Sequence, residues 1–371
     1  MAGITPIVMP KWGLSMKEGT VTSWLVSPGT RIDVGMLILE VETDKIANAV
    51  EAPDPGLLRR IIAQEGDLLP IKALLAVMAE ADVSDAEIEA FVAAYVTPTV
   101  ENEGEELAPA TQRIDVGDIS IRYARRGSRE GVPVLFIHGF GGDLDNWLFN
   151  IDAIAEKSPV IALDLPGHGQ SSIRLPGTSL VDLASFIARF LDAIDVPKVH
   201  LVGHSMGGGI AAQLALSHPD RVVSVVLIDS AGMGKEISSS YVDGFVSATS
   251  RRDLKPVLEQ LFFDPTLVGR QLIDDVLKYK RLDGVTELLA SLSNALFGGG
   301  LQKATPGLEL GHSGKPVLLL WGREDRIIPA AHAGHAHPGA LVEVLDQTGH
   351  MVQMERANDV NRLILKHLAA C

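Results

Sequence analysis

The chain has 371 residues, 46% hydrophobic and 21% charged, which is long for one globular unit and comfortable for two. Its formal net charge is −15, and residues 1–110 hold 18 Asp/Glu against 7 Lys/Arg, so a phosphate-backbone binder, which needs a basic surface, is excluded. Cys371 is the only cysteine, which rules out an intrachain disulfide or cysteine metal site, and no run approaches the ~18 apolar residues of a membrane span.

Pro6, Pro10, Lys11 and Lys17 interrupt the first residues, so a basic-then-apolar secretion signal is not expected and the cytosol is the expected compartment. Residues 19–42 and 56–79 form an internal repeat with an offset of 37. Gly19 aligns with Gly56, Trp24 with Ile61, Gly29 with Gly66, Leu37 with Leu74, and Val41 with Met78. Each half reads as short apolar strands broken by turns such as Ser27-Pro28-Gly29 and Gln64-Glu65-Gly66-Asp67. One half cannot bury its apolar face alone, so the pair predicts a small all-β sandwich over residues 1–80. Glu42-Thr43-Asp44-Lys45-Ile46 joins the halves, and the flanking strand residues predict an exposed hairpin tip at Lys45.

Residues 81–112 read as a short amphipathic helix followed by a linker. Ser84-Asp85-Ala86-Glu87 has the form of a capping box, and Ile88, Phe91, Val92, Tyr95 and Val96 follow at helical spacing before Thr97-Pro98. The helix is expected to pack on one of the domains or to dock a partner subunit. Residues 98–112 are acidic and proline-containing and read as flexible, with a reach of roughly 20 Å.

From residue 113 to 371 the pattern is that of βα units. Strands are predicted at 132–137, 160–163, 199–202, 222–228, 317–320 and 341–345, with helices such as 179–194 and 207–217 between them. This alternation predicts a mostly parallel, buried sheet. Residues 233–312 break the rhythm and read as a mainly helical cap inserted over the edge of the sheet where ligands bind.

Gly203-His204-Ser205-Met206-Gly207 lies where a strand gives way to a helix, so Ser205 is expected on a sharp turn that lifts its hydroxyl above the sheet. A serine hydroxyl needs an adjacent base, and His350, after the last strand, is the candidate. Asp325, after the strand at 317–320, is the candidate acid that fixes the imidazole, with Asp229 as runner-up. The order Ser, Asp, His is the one expected on such a sheet. His138-Gly139-Phe140-Gly141-Gly142 can aim the Phe140 N–H at an acyl oxygen, paired with that of Met206. His332, His335 and His337 cluster without a carboxylate at a familiar metal spacing, and no metal is expected. His204 would point away from the role of base, and His168 reads as a loop stabiliser.

The first 80 residues resemble the lipoyl domains of 2-oxo-acid dehydrogenase complexes in Met9-Pro10, Met16-Lys17-Glu18-Gly19, the half-repeats and Glu42-Thr43-Asp44-Lys45. Asp44 and Ile46 stand where biotinyl domains carry methionines. The resemblance implies lipoic acid in amide linkage on Lys45. Residues 114–371 resemble the α/β-hydrolase superfamily in His138-Gly139, Asp164 to Gly169, Gly203 to Gly207, Asp325 and His350. Together the two halves are similar to the E2 components of acetoin dehydrogenase complexes, which transfer an acetyl group from a dihydrolipoyl arm to coenzyme A. That resemblance implies a thiamine-diphosphate E1 and a dihydrolipoyl dehydrogenase, E3, as partners, and leaves a homo-oligomer open. The His-x-x-x-Asp-Gly signature of ordinary E2 chains is absent: Ser239 and Tyr279 stand at that offset before Asp243-Gly244 and Asp283-Gly284. A carboxylesterase or thioesterase with a lipoyl carrier, and a lipoyl scaffold with a non-catalytic hydrolase fold, are the alternative readings.

Overall fold

The computed structural model describes residues 3–12, 16–43, 47–98, 111–128 and 130–371. The chain falls into two compact units, Met1–Ala108 and Pro109–Cys371.

Among its described residues the first unit has eight strands: β1 (Ile4–Val8), β2 (Glu18–Trp24), β3 (Arg31–Ile32), β4 (Leu37–Glu42), β5 (Ala47–Glu51), β6 (Gly56–Ile61), β7 (Leu68–Pro70) and β8 (Leu74–Ala79). They form two four-stranded antiparallel sheets, ordered β1-β8-β6-β3 and β5-β4-β2-β7. The orders are equivalent under the internal repeat, and the hydrogen bonds obey it too. Gly29 N–H donates to the Leu58 carbonyl and Gly66 N–H to the Val21 carbonyl, both at 2.7 Å. Each of these glycines has φ +91°, a conformation that glycine adopts without strain. β3 belongs to the first half-repeat yet completes the sheet of the second, and β7 does the converse. Between the sheets lie Val21, Ile38, Leu39, Val41, Leu58 and Leu75, among other apolar side chains. Gly19 leaves room for three neighbours: a Cβ there would sit 2.8 Å from Val41 Cγ1, 3.0 Å from Met16 Cε and 3.1 Å from Met9 Sδ. Those are the methionines of the lipoyl-like motif.

β4 and β5 pair as an antiparallel hairpin, with Glu42 opposite Ala47. Lys45, expected between them, lies outside the described residues, as do residues 99–110 of the expected linker.

Helix α1 (Asp85–Ala94) starts at the expected capping box, in which Ser84 Oγ accepts from Glu87 N–H and the Glu87 carboxylate accepts from Ser84 N–H. It stops short of the expected 84–96: Tyr95 is the C-cap, and Val96 is exposed. Ile88 is buried against Val77 and Ala79 of β8, and Tyr95 donates its hydroxyl to the Lys72 carbonyl at 2.8 Å. Full burial of one such aliphatic side chain contributes roughly 1.5–3 kcal/mol. The helix therefore packs on the sandwich that precedes it.

In the second unit a hairpin, β9 (Gln112–Val116) and β10 (Ile119–Arg126), leads into β11 (Val134–Ile137), helix α2 (Ile151–Ala155), β12 (Val160–Leu163) and α3 (Leu180–Ala193). Then come β13 (Val199–His204), α4 (Met206–Ser217) and β14 (Val222–Ile228). The cap follows, with α5 (Ser239–Ser247), α6 (Arg251–Leu258), α7 (Arg270–Lys280) and α8 (Val285–Leu296). The chain returns through β15 (Val317–Gly322), β16 (Leu341–Leu345), α9 (Val352–Glu355) and α10 (Ala357–Ala369). The sheet order is β16-β15-β14-β13-β11-β12-β10-β9, parallel from β16 to β12 and antiparallel at β10 and β9. β11 to β15 are almost wholly buried, as strands covered on both faces must be. The β9–β10 hairpin had no counterpart among the predicted strands, and Gln112 belongs to it rather than to a linker.

Candidate active site

Ser205 sits between β13 and α4 with φ +54° and ψ −121°, a strained conformation held by its surroundings. A Cβ on Gly203 would collide with the Gly207 carbonyl, and one on Gly207 with the carbonyls of Ile137 and His138. Both glycines are therefore required for the turn to close. Ser205 is the N-cap of α4 but spends no side-chain hydrogen bond on capping, which leaves its hydroxyl for chemistry.

His350 follows β16, and its Nδ1 lies 2.8 Å from Asp325 Oδ2, with both side chains buried. The other carboxylate oxygen of Asp325 accepts from the N–H groups of Ile327 (2.7 Å) and Ile328 (3.0 Å). This carboxylate is fixed before it meets the imidazole. Ser205 and His350 line one cavity under the cap, together with Phe140, Phe245, Leu272 and Met351.

Asp229, at φ +43° after β14, is buried beside the same imidazole, with a carboxylate oxygen within 4.8 Å of a His350 ring nitrogen, but its Oδ1 accepts from Gly322 N–H at 2.8 Å. Burial, and then the charge of Asp325, push its carboxyl well above the usual range. Its position stitches the end of β15 in place while Asp325 faces His350.

Phe140 follows β11, and Met206 opens α4, where first-turn N–H groups have no intrahelical acceptor. Gly139 abuts Ser205, since a Cβ there would lie 3.0 Å from Ser205 Cβ. Gly141, at φ +73°, admits the ring of Phe245, which packs with Phe140 at 5.8 Å between centroids. The loop thus brings the Phe140 region beside Ser205 and receives the cap.

Two histidines hold this frame. His138 Nε2 accepts from Leu165 N–H at 2.9 Å, which leaves the proton on Nδ1 for the Gly139 carbonyl at 2.8 Å. Burial lowers its pKa to about 4, so the ring is neutral and its tautomer is set. His168 donates from Nδ1 to the Pro166 carbonyl and stacks on Tyr279 of the cap at 6.4 Å; burial, then His138, lower it to about 3. It stabilises a loop, as expected. The positioning role of His138 was not legible in sequence, where it stood only as part of a glycine-rich motif.

The other histidine cluster is structural in its contacts. His332 Nε2 lies 2.9 Å from Glu236 Oε2, and His335 Nδ1 donates to the Met233 carbonyl. Among the described residues no helix is long and apolar enough to cross a membrane.

Residues 132–357 match the family model described as alpha/beta hydrolase fold, and residues 5–78 match that described as biotin-requiring enzyme. The chain is 62% identical over 365 residues to the dihydrolipoyllysine-residue acetyltransferase component of the acetoin cleaving system of Cupriavidus necator, covering 98% of this chain and 97% of that one. It is 46% identical to the protein of the same description from Pseudomonas putida, covering 99% of each. Among solved structures, the meta-cleavage product hydrolase of Pseudomonas fluorescens, complexed with acetates, matches at a TM-score of 0.63 and 26% identity, covering 70% of this chain and 97% of that one. A bacterial membrane phospholipase A matches at 0.62 and 27%, covering 70% and 86%. With a lipoyl-type sandwich, an α/β-hydrolase fold and relatives matched over nearly their whole length, the chain belongs to the family of dihydrolipoyllysine-residue acetyltransferase components of acetoin cleaving systems.

Proposed function

We propose that this chain transfers acetyl from a dihydrolipoyl arm on Lys45 to coenzyme A, with Ser205 as nucleophile, His350 as base and Asp325 as its orienting acid. The observation that carries the reading is the shared cavity of Ser205 and His350, in which the His350 ring is already tied to a fixed Asp325. The β4–β5 hairpin fits a tip-lysine attachment, since its strands pair up to Glu42 and Ala47 on either side of Lys45. Lipoic acid bound there supplies the acetyl group as a thioester.

His350 accepts the Ser205 proton as Oγ attacks the thioester carbonyl. The N–H groups of Phe140 and Met206 receive the oxyanion, each such donor contributing on the order of 3 kcal/mol to its stabilisation. The carbon–sulfur bond breaks, and His350 returns the proton to the departing thiol. The coenzyme A thiol, deprotonated by His350, then attacks acetyl-Ser205, and Oγ leaves with the proton. Exchange between thioesters is nearly balanced whereas hydrolysis is strongly downhill, so water must be kept out. The apolar lining from Phe140, Phe245, Phe262 and Phe297 supports that exclusion.

The partners in this reading are a thiamine-diphosphate E1 that loads the arm and a dihydrolipoyl dehydrogenase, E3, that reoxidises it. Intact-mass measurement with E1, acetoin and coenzyme A tests the whole scheme. Lys45 is expected to carry a lipoyl mass that gains acetyl and loses it to coenzyme A, with Ser205→Ala blocking the loss. An unmodified lysine in a lipoylation-competent host, or undiminished transfer by Ser205→Ala, overturns it. The hydrolytic relatives of the fold favour water as a rival acceptor; acetate in place of acetyl-coenzyme A as the product would establish it.

A further inference from the structure

The loop that carries His350 is held from the cap. The Leu261 carbonyl, just beyond α6, accepts from the N–H groups of both His350 (2.8 Å) and Met351 (3.1 Å). Glu355, at the end of α9, spreads its carboxylate across the same junction. Oε1 accepts from Gly349 N–H and Oε2 from Phe263 N–H, both at 2.8 Å. The two chains are in contact: a Cβ on Gly349 would lie 2.7 Å from the backbone of Phe262 and of Phe263. The same segments furnish Leu258, Leu261, Phe262, Met351 and Met354 to the cavity wall. A group bound in the cavity therefore touches residues of the segments whose backbone fixes the histidine.

We propose that Glu355 is a positioning residue that couples seating of the cap around substrate to placement of the His350 imidazole, an inference that rests on the reading of His350 as base. Its two oxygens face N–H groups from two segments separated by more than 80 residues, and only a carboxylate accepts at both positions without donating. The site is costly for a charge. Burial, together with the neighbouring Asp264, pushes Glu355 up to about 7, against the N–H groups of Phe263, Gly349 and Asp264 that favour its ionised form. The charge of Glu355 in turn helps raise the buried carboxyl of Asp229. A carboxylate held among acids by backbone donors alone is suited to joining those donors.

Glu355→Gln keeps the shape but turns one acceptor into a donor, so it can serve only one segment. Hydrogen exchange on the full-length protein is expected to quicken about tenfold or more in peptides covering 258–264 and 347–352 together, with the rest unchanged. Covalent trapping of Ser205 by a fluorophosphonate, which needs neither lipoyl group nor coenzyme A, is expected to slow about tenfold. The kcat for acetyl transfer is expected to fall by a similar factor while the KM for coenzyme A holds. Glu355→Asp, charged but shorter, is expected to fall between the two and keeps the test open should the glutamine variant not fold. Unchanged exchange, or quickened exchange with unchanged trapping, overturns the coupling. Trapping retained in His350→Ala overturns instead the reading on which the coupling rests.

Discussion

His204, the residue before Ser205, donates from Nε2 to the backbone carbonyl of His350 at 2.8 Å. A carbonyl only accepts, so the proton is on Nε2. Burial, then the charge of His350, hold the ring well below its ordinary pKa and therefore neutral. The two rings lie 4.8 Å apart. The turn that carries Ser205 and the loop that carries His350 are thus joined directly. His204→Ala would leave that buried carbonyl without its donor, a loss of roughly 1–3 kcal/mol. Steady-state kinetics are expected to show kcat reduced about tenfold with KM little changed. A raised KM at unchanged kcat would contradict a positioning role.

Asp325 and Asp229 are expected to separate sharply. Asp325 faces His350 Nδ1, whereas the buried Asp229 bonds Gly322 and is pushed toward its neutral form. Asp325→Asn is expected to slow acylation of Ser205 by on the order of 10³–10⁴. Asp229→Asn keeps an acceptor for Gly322 and is expected to cost less than about tenfold. Rapid-quench measurement of the acyl-enzyme checks both, and equal losses would assign the acid wrongly.

Glu355 gives the fold a pH dependence of definite sign. Its pKa is about 7 in the folded chain against an ordinary 4.5, so the folded state holds the proton longer. Its stabilisation is full below pH 4.5 and is lost as the pH rises through 7, about 3 kcal/mol in all. Protonation favours the fold by removing a buried charge, yet removes one acceptor from the junction with the cap. Stability and base placement run in opposite directions here. Urea titrations at pH 5 and 8 are expected to show a smaller pH difference in Glu355→Gln than in the parent, with Asp229 and Asp264 present in both. Identical pH differences would refute the assignment.

Gly207→Ala is expected to destabilise by about 3 kcal/mol or more, because its Cβ would meet backbone carbonyls that cannot turn aside. Gly334→Ala, where a Cβ would meet nothing within 4 Å, is expected to stay within about 0.5 kcal/mol. Thermal unfolding of the pair, read against the parent, tests whether the collision rather than the loss of glycine itself sets the cost.

Much of this architecture was legible because it is local or ordered along the chain. The runs ending at Ile137, Leu163, Ile228 and Leu345 are strands as expected, since buried parallel strands are continuously apolar. The repeat exposed the sandwich, and the order Ser205, Asp325, His350 pointed to residues of which the last two meet. β9 and β10 escaped notice because Arg113, Asp115, Arg122, Arg125 and Arg126 interrupt their apolar pattern. The hold of the cap on His350 was illegible for a different reason. It is made by the Leu261 carbonyl and by a Glu355–Phe263 bond spanning 92 residues, and no local spacing records such a bond.

The exchange of edge strands in the first unit has a consequence for the carrier module. Because β3 and β7 each complete the sheet of the opposite half-repeat, unravelling either half strips a strand from the other. The module is expected to melt in a single step, with no half-folded form that presents one sheet's unpaired edge. A lipoyl carrier built this way then has only two states to offer: whole, with its β4–β5 hairpin braced on both sides, or lost altogether.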